Sequence, residues 1–199
     1  MVSRDKILAF SDENTLSRLC PSYESGRQTF VSTQLGFTFF YDATKKSDGG
    51  YSPSARIDKS TSLFPRPVKK HVLLDRKPIK SLVKHSDTHY LIDLGGETVG
   101  LPTLDIHSDT EQTLTVAWGE HITDGGVRKQ IGKRNFIFEY KAKCGNNKFT
   151  EPMLRIGCRY LEVFSEDPIN INYVGVIPQV YEVSELPCKI ENELDRRIY

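Results

Sequence analysis

An alternation with a period of two limits this chain more than any other feature. In Thr113-Leu114-Thr115-Val116-Ala117-Trp118, the residues Leu114, Val116 and Trp118 fall on one face of an extended backbone. Asn135-Phe136-Ile137-Phe138-Glu139-Tyr140-Lys141-Ala142 repeats the pattern, setting Phe136, Phe138 and Tyr140 against Asn135, Ile137 and Glu139. Further runs at 30–41, 89–94, 104–107, 159–164 and 169–177 are rich in the β-branched and aromatic residues that suit a pleated surface. Turn formers separate them, among them Asp124-Gly125-Gly126, Gly145-Asn146-Asn147 and Glu166-Asp167-Pro168. Many short strands with regular turn punctuation predict an all-β fold, a sandwich or a barrel.

Helical patterning is weak. Two short stretches invite a helix, 12–20 and the C-terminal 185–199, where acids come first and bases last, as a helix dipole favours. The stretch 42–88, with Pro53, Pro65, Pro67 and Pro78, reads as an extended connector with one or two edge strands. A chain of 199 residues is long enough for a substantial core.

The net charge of +1 hides an asymmetry. Residues 1–90 carry 15 Lys/Arg against 9 Asp/Glu, a net of +6, and residues 91–199 carry 12 against 17, a net of −5. Much of the basic excess lies between Arg66 and Lys84, but Phe64, Val68, Val72, Leu73, Ile79, Leu82 and Val83 interleave with it. That is the pattern of strands with a solvated face, so no nucleic-acid partner is expected. No apolar run approaches the ~20 residues of a membrane-spanning helix, and no membrane partner is expected. The N-terminal apolar run, Ile7 to Phe10, is too short for a signal-peptide core.

The motifs of common catalysts are missing. There is no GxSxG elbow, P-loop, HExxH or dinucleotide fingerprint. Cys20, Cys144, Cys158 and Cys188 are scattered, and Cys158 sits in an apolar stretch as a small core residue. His85 and His89 have the only spacing a metal could use, and a solvent-facing pair on one strand face is the expectation. No Asp-containing turn has the ligand count of a dedicated calcium site. No metal or cofactor is expected.

Sugar binding needs an aromatic surface beside hydrogen-bonding groups. Trp118, the only tryptophan, together with Tyr23, Tyr41, Tyr51 and Tyr90 could supply the first, although Trp118 also fits a core role beside Leu114 and Val116. Glu120, just beyond Trp118-Gly119, is a candidate hydrogen-bonding carboxylate. Arg159 next to Tyr160 could hold such a carboxylate, Glu120 for example, in a two-point pair linking strands. Trp118, Glu120 and Arg159 are therefore the candidate sugar-binding residues, and no catalytic acid pair stands out.

An ordered set of blocks goes further: Leu91-Ile92-Asp93-Leu94-Gly95-Gly96-Glu97-Thr98-Val99-Gly100, then Val116-Ala117-Trp118-Gly119-Glu120, Asp124-Gly125-Gly126-Val127, and Ile156-Gly157-Cys158-Arg159-Tyr160-Leu161-Glu162-Val163. This succession resembles the β-sandwich region ahead of the catalytic barrel in bacterial α-L-rhamnosidases of glycoside hydrolase family 78. Cys158 stands where an aromatic is usual there, and Trp118 where Tyr is common. The resemblance implies an antiparallel β-sandwich, jelly-roll or concanavalin-like, over 86–182, an accessory β segment and connector over 1–85, and over 183–199 the start of a linker or short helix toward a barrel. It also implies that hydrolysis of terminal α-L-rhamnosides, with inversion, belongs to carboxylates of a downstream (α/α)6 barrel. The chain itself is then expected to be a non-catalytic accessory portion whose partner is that barrel, with rhamnose-containing glycans as further candidate partners. A free-standing carbohydrate-binding module is the alternative.

Overall fold

The computed structural model describes residues 2–3, 6–7, 12, 14–24, 26–27, 30–45, 49–55, 62, 64, 70–181 and 193. Nine strands form one curled sheet: β1 (Phe40–Asp42), β2 (His71–Leu73), β3 (Ser81–Ser86), β4 (His89–Ser108), β5 (Gln112–Gly119), β6 (Ile137–Ala142), β7 (Gly145–Thr150), β8 (Ile156–Phe164) and β9 (Ile169–Tyr181). The order along the main path is β1-β6-β5-β8-β4-β9-β2, with β3 and β7 paired to β4 off that path. All pairings are antiparallel except β1 with β6. The fold is all-β and sandwich-like, as the alternation predicts.

The long strand β4 joins the two layers. Its first part, His89 to Asp93, lies between β3 and β8, and its last part, Thr103 to Ser108, lies between β7 and β9. Sequence patterning splits this stretch into two runs at Gly95-Gly96, whereas the structure keeps it as one strand with a bulge. Asp93 pairs with Tyr160 and Thr98 with Cys158, so Leu94 to Glu97 stand against Arg159 alone. Gly95 takes a left-handed φ of 79° there, which a residue with a Cβ adopts only at a cost.

The core lies between the layers. Leu114, Val116 and Trp118 of β5, Phe138 and Tyr140 of β6, Cys158 and Val163 of β8, Leu104 and Ile106 of β4, and Val174 and Val176 of β9 are all buried together. Burying one large aliphatic side chain contributes about 2 kcal/mol, so this set is a major source of the fold's stability. Ala117 points to the opposite face and packs with Leu91 and Val127. That second cluster exists because the hairpin of Ile122–Thr123 and Gly126–Val127 folds back over β5. Its two-residue turn places Asp124 and Gly125 at φ of 56° and 83°, the left-handed pair a tight hairpin demands.

Several expectations are corrected. The stretch 12–20 forms no helix: Asp12 closes a turn through the Asn14 and Thr15 amides, and Leu16–Ser17 pairs with Ser52–Pro53. Tertiary pairing overrides local propensity there. The run 30–41 is a hairpin, Phe30–Ser32 with Gly36–Phe37, followed by β1 rather than one strand. Gly145-Asn146-Asn147 belongs to β7, and the turn lies one step earlier, at Lys143 and Cys144. The connector does contain short edge strands, β2 and β3. Cys158 is a buried core residue as expected, whereas Cys188 lies outside the described residues, as does the C-terminal helix apart from Glu193.

Candidate functional site

The end of β5 carries the chain from core to surface. Trp118 remains 5% exposed, with its indole edge-on to Phe136 at 5.9 Å, while Glu120 two residues later is exposed. Opposite this strand end stands a second small hairpin, Gln130–Ile131 with Arg134–Asn135. Between them opens a cleft of about 200 Å³ whose walls include Trp118, Glu120, His121, Arg128, Arg134 and Phe136. The cleft is therefore mixed, with aromatic, aliphatic and charged side chains in its walls.

Trp118 and Glu120 come together in this cleft, but Arg159 does not join them. One edge of its guanidinium is committed to Asp93, Nε donating to Oδ1 at 2.9 Å and Nη2 to Oδ2 at 3.0 Å. The two-point pair predicted for Arg159 exists, with Asp93 in place of Glu120. The reason is register: the bulge in β4 returns Asp93 opposite Tyr160, beside Arg159. Asp93 also accepts the Gly95 N–H at 2.6 Å. Its carboxyl is held down to about 2, chiefly by Arg159.

Glu97, at the end of the same bulge, lies near Gly157, where a Cβ would come within 3.5 Å of its carboxylate. Partial burial and then the charge of Glu120 raise the Glu97 carboxyl above its ordinary value. Two carboxylates thus approach one another beside the cleft, a juxtaposition that sequence spacing alone does not reveal. Sequence reasoning likewise does not single out Arg128, Arg134 or His121, and reads Phe136 only as a strand-face residue. The signal available was the run Arg128-Lys129-Gln130-Ile131-Gly132-Lys133-Arg134, a basic stretch inside the acidic half of the chain.

The tyrosines form no platform. Tyr90 is buried, its hydroxyl donating to the Ile169 carbonyl at 2.7 Å. Tyr23 and Tyr41 are half-buried edge-on to one another at 5.1 Å, and Tyr23 donates to the buried Glu151 at 2.8 Å. Tyr51 is exposed beneath the Arg18 guanidinium. His85 and His89 face one another at a tilt, 4.6 Å apart, across the β3–β4 hairpin rather than on one strand, and His89 Nε2 donates to Glu162 Oε1 at 2.6 Å. Among the described residues no group of three or more metal-ligating side chains converges.

Neither a protein-family model nor a curated protein matches the chain. Solved structures do. The α-L-rhamnosidase from Dictyoglumus thermophilum aligns at a TM-score of 0.57 and 16% identity, over 86% of this chain and 21% of its own. That from Aspergillus terreus aligns at 0.55 and 15%, over 72% of this chain and 18% of its own. The Streptomyces avermitilis α-L-rhamnosidase, solved in complex with L-rhamnose, aligns at 0.54 and 18%, over 75% of this chain and 17% of its own. The chain thus spans about a fifth of the length of each of these enzymes. At such identities the likeness is one of fold: this chain has an α-L-rhamnosidase-like β architecture.

Proposed function

We infer that the chain is a non-catalytic accessory β-sandwich of a glycoside hydrolase related to the α-L-rhamnosidases. The observation carrying this reading is the lopsided alignment, most of this chain against about a fifth of each enzyme. The division into an accessory segment over 1–85, a sandwich over 86–182 and a linker from 183 belongs to the same reading. So does its main partner, a downstream catalytic barrel. A neighbouring domain also has a surface to use. Val72, Leu73 and Leu74 on and after β2, with Val180 and Tyr181 at the end of β9, leave large apolar side chains exposed where the described strands end.

Hydrolysis of p-nitrophenyl α-L-rhamnoside by the purified chain tests this. The expected result is no turnover. Turnover abolished by Glu97→Gln or Glu120→Gln overturns the reading, because the chemistry would then lie in the acid pair beside the cleft.

A further inference from the structure

The hairpin that closes the cleft beside Trp118 also borders a second cleft. This second cleft is the more open, and its walls include Phe30, Thr33, Gln34 and Lys133. Ile131 and Arg134 line both, so a ligand that crosses this hairpin would occupy the two clefts as one groove and pass Arg134 on the way. Each half offers an aromatic group: Phe136 and the edge of Trp118 in the first, and Phe30, 43% exposed and edge-on to Phe37, in the second. Each half also offers hydrogen-bonding side chains, Glu120 in the first and Gln34 in the second.

The charges in the groove are unusual in being unspent. Lys129, beside it, is stacked on Phe164. Arg128, Lys133 and Arg134 form no salt bridge with a carboxylate among the described residues, although Asp and Glu outnumber Lys and Arg in this half of the chain. Guanidinium groups match carboxylates in two-point geometry, and aromatic surfaces match the C–H patches of a sugar ring. Glu120 can accept hydrogen bonds from sugar hydroxyls.

We propose that this groove binds an acidic oligosaccharide, with Arg134 and Arg128 pairing uronate carboxylates while Phe30 and Phe136 contact the sugar rings and Trp118 lies beneath. The proposal does not require the chain to belong to a rhamnosidase.

Trp118 is the only tryptophan and lines the groove, so its fluorescence reports occupancy. The chain is titrated at low ionic strength with tetragalacturonate, with a hyaluronan tetrasaccharide, and with methyl-esterified tetragalacturonate, calorimetry running beside fluorescence. At least one of the two acids is expected to bind saturably and to weaken as salt rises, and the ester to bind at least about tenfold more weakly. Arg134→Gln is expected to weaken the acid by about tenfold, Arg134→Lys by less, and Arg155→Gln, outside the groove, not at all. Circular dichroism of each variant separates lost binding from lost fold. The proposal is overturned if neither acid gives heat or a spectral change, or if the ester binds as tightly as the acid. It is equally overturned if folded Arg134→Gln and Arg128→Gln bind like the parent, or if oligothymidylate of equal charge binds more tightly than either sugar.

Discussion

Arg159 and Asp93 meet through two parallel N–H···O bonds, at 2.9 and 3.0 Å, across β8 and β4 at the point where the register slips. The same carboxylate takes the Gly95 N–H, so one side chain fixes both the pairing of two central strands and the first turn of the bulge. Its pKa, lowered from 3.8 to about 2, makes this contribution pH-dependent. A depressed carboxyl stabilises the fold fully above its unfolded value and loses that stabilisation as pH falls through the folded one. Asp93→Asn should therefore lower the thermal midpoint by a few degrees at neutral pH, and the deficit should vanish as pH falls from about 4 toward about 2. Thermal unfolding of both proteins across that range checks it. A deficit that stays constant would locate the effect in shape rather than charge.

Glu162 holds the outer hairpin. Its Oε2 accepts the buried Val127 N–H at 2.9 Å, and its Oε1 faces His89 at 2.6 Å. Truncation by Glu162→Ala strands that N–H away from water, at about 2 kcal/mol. Urea unfolding should show the loss. Hydrogen exchange should show faster exchange at Val127 with little change at Val116 in the core. Equal acceleration at both would mean that Glu162 supports the whole sheet rather than the hairpin.

Much of this was written in the sequence. Period-two alternation placed Leu114, Val116, Trp118, Phe138 and Tyr140 correctly because each lies on a strand with one face in the core. Asp124-Gly125 named its own turn because few residues tolerate positive φ. The Asp93–Arg159 pair was not legible as such, since its partners are set by the size of a bulge and not by spacing. For the same reason the Glu97–Glu120 approach and the Arg128 and Arg134 side of the cleft stayed hidden: they depend on how a bulge and two small hairpins fold back. The apparent helix over 12–20 misled because an Asx turn and a two-residue β-pairing suit the same polar residues.

Two glycines separate close approach from backbone freedom. A Cβ on Gly100 would lie 2.1 Å from the Ile177 carbonyl oxygen, so Gly100→Ala must part β4 from β9 and should cost about 3 kcal/mol. Gly125, at φ +83 with open space around it, meets only the penalty of its conformation, about 1 kcal/mol. Chemical denaturation of the two variants should keep that order. Equal costs would mean that β4 and β9 can separate cheaply at Gly100.

Cys158 offers the sharpest contrast among the described cysteines. It is fully buried on β8 opposite Thr98 of β4, and burial, with the charge of Glu97 adding to it, pushes its thiol up to about 12. Because the thiolate is the reactive form, an aromatic disulfide reagent at about pH 8 should leave Cys158 untouched in the native protein. Cys20 and Cys144, both exposed, should react. Denaturant should then expose Cys158 in step with loss of the β-sheet signal, and peptide mapping by mass assigns each label. Labelling of Cys158 at the rate of Cys144 under native conditions would show that β8 opens locally beside the bulge, and that the Asp93–Arg159 clamp does not hold the strands shut.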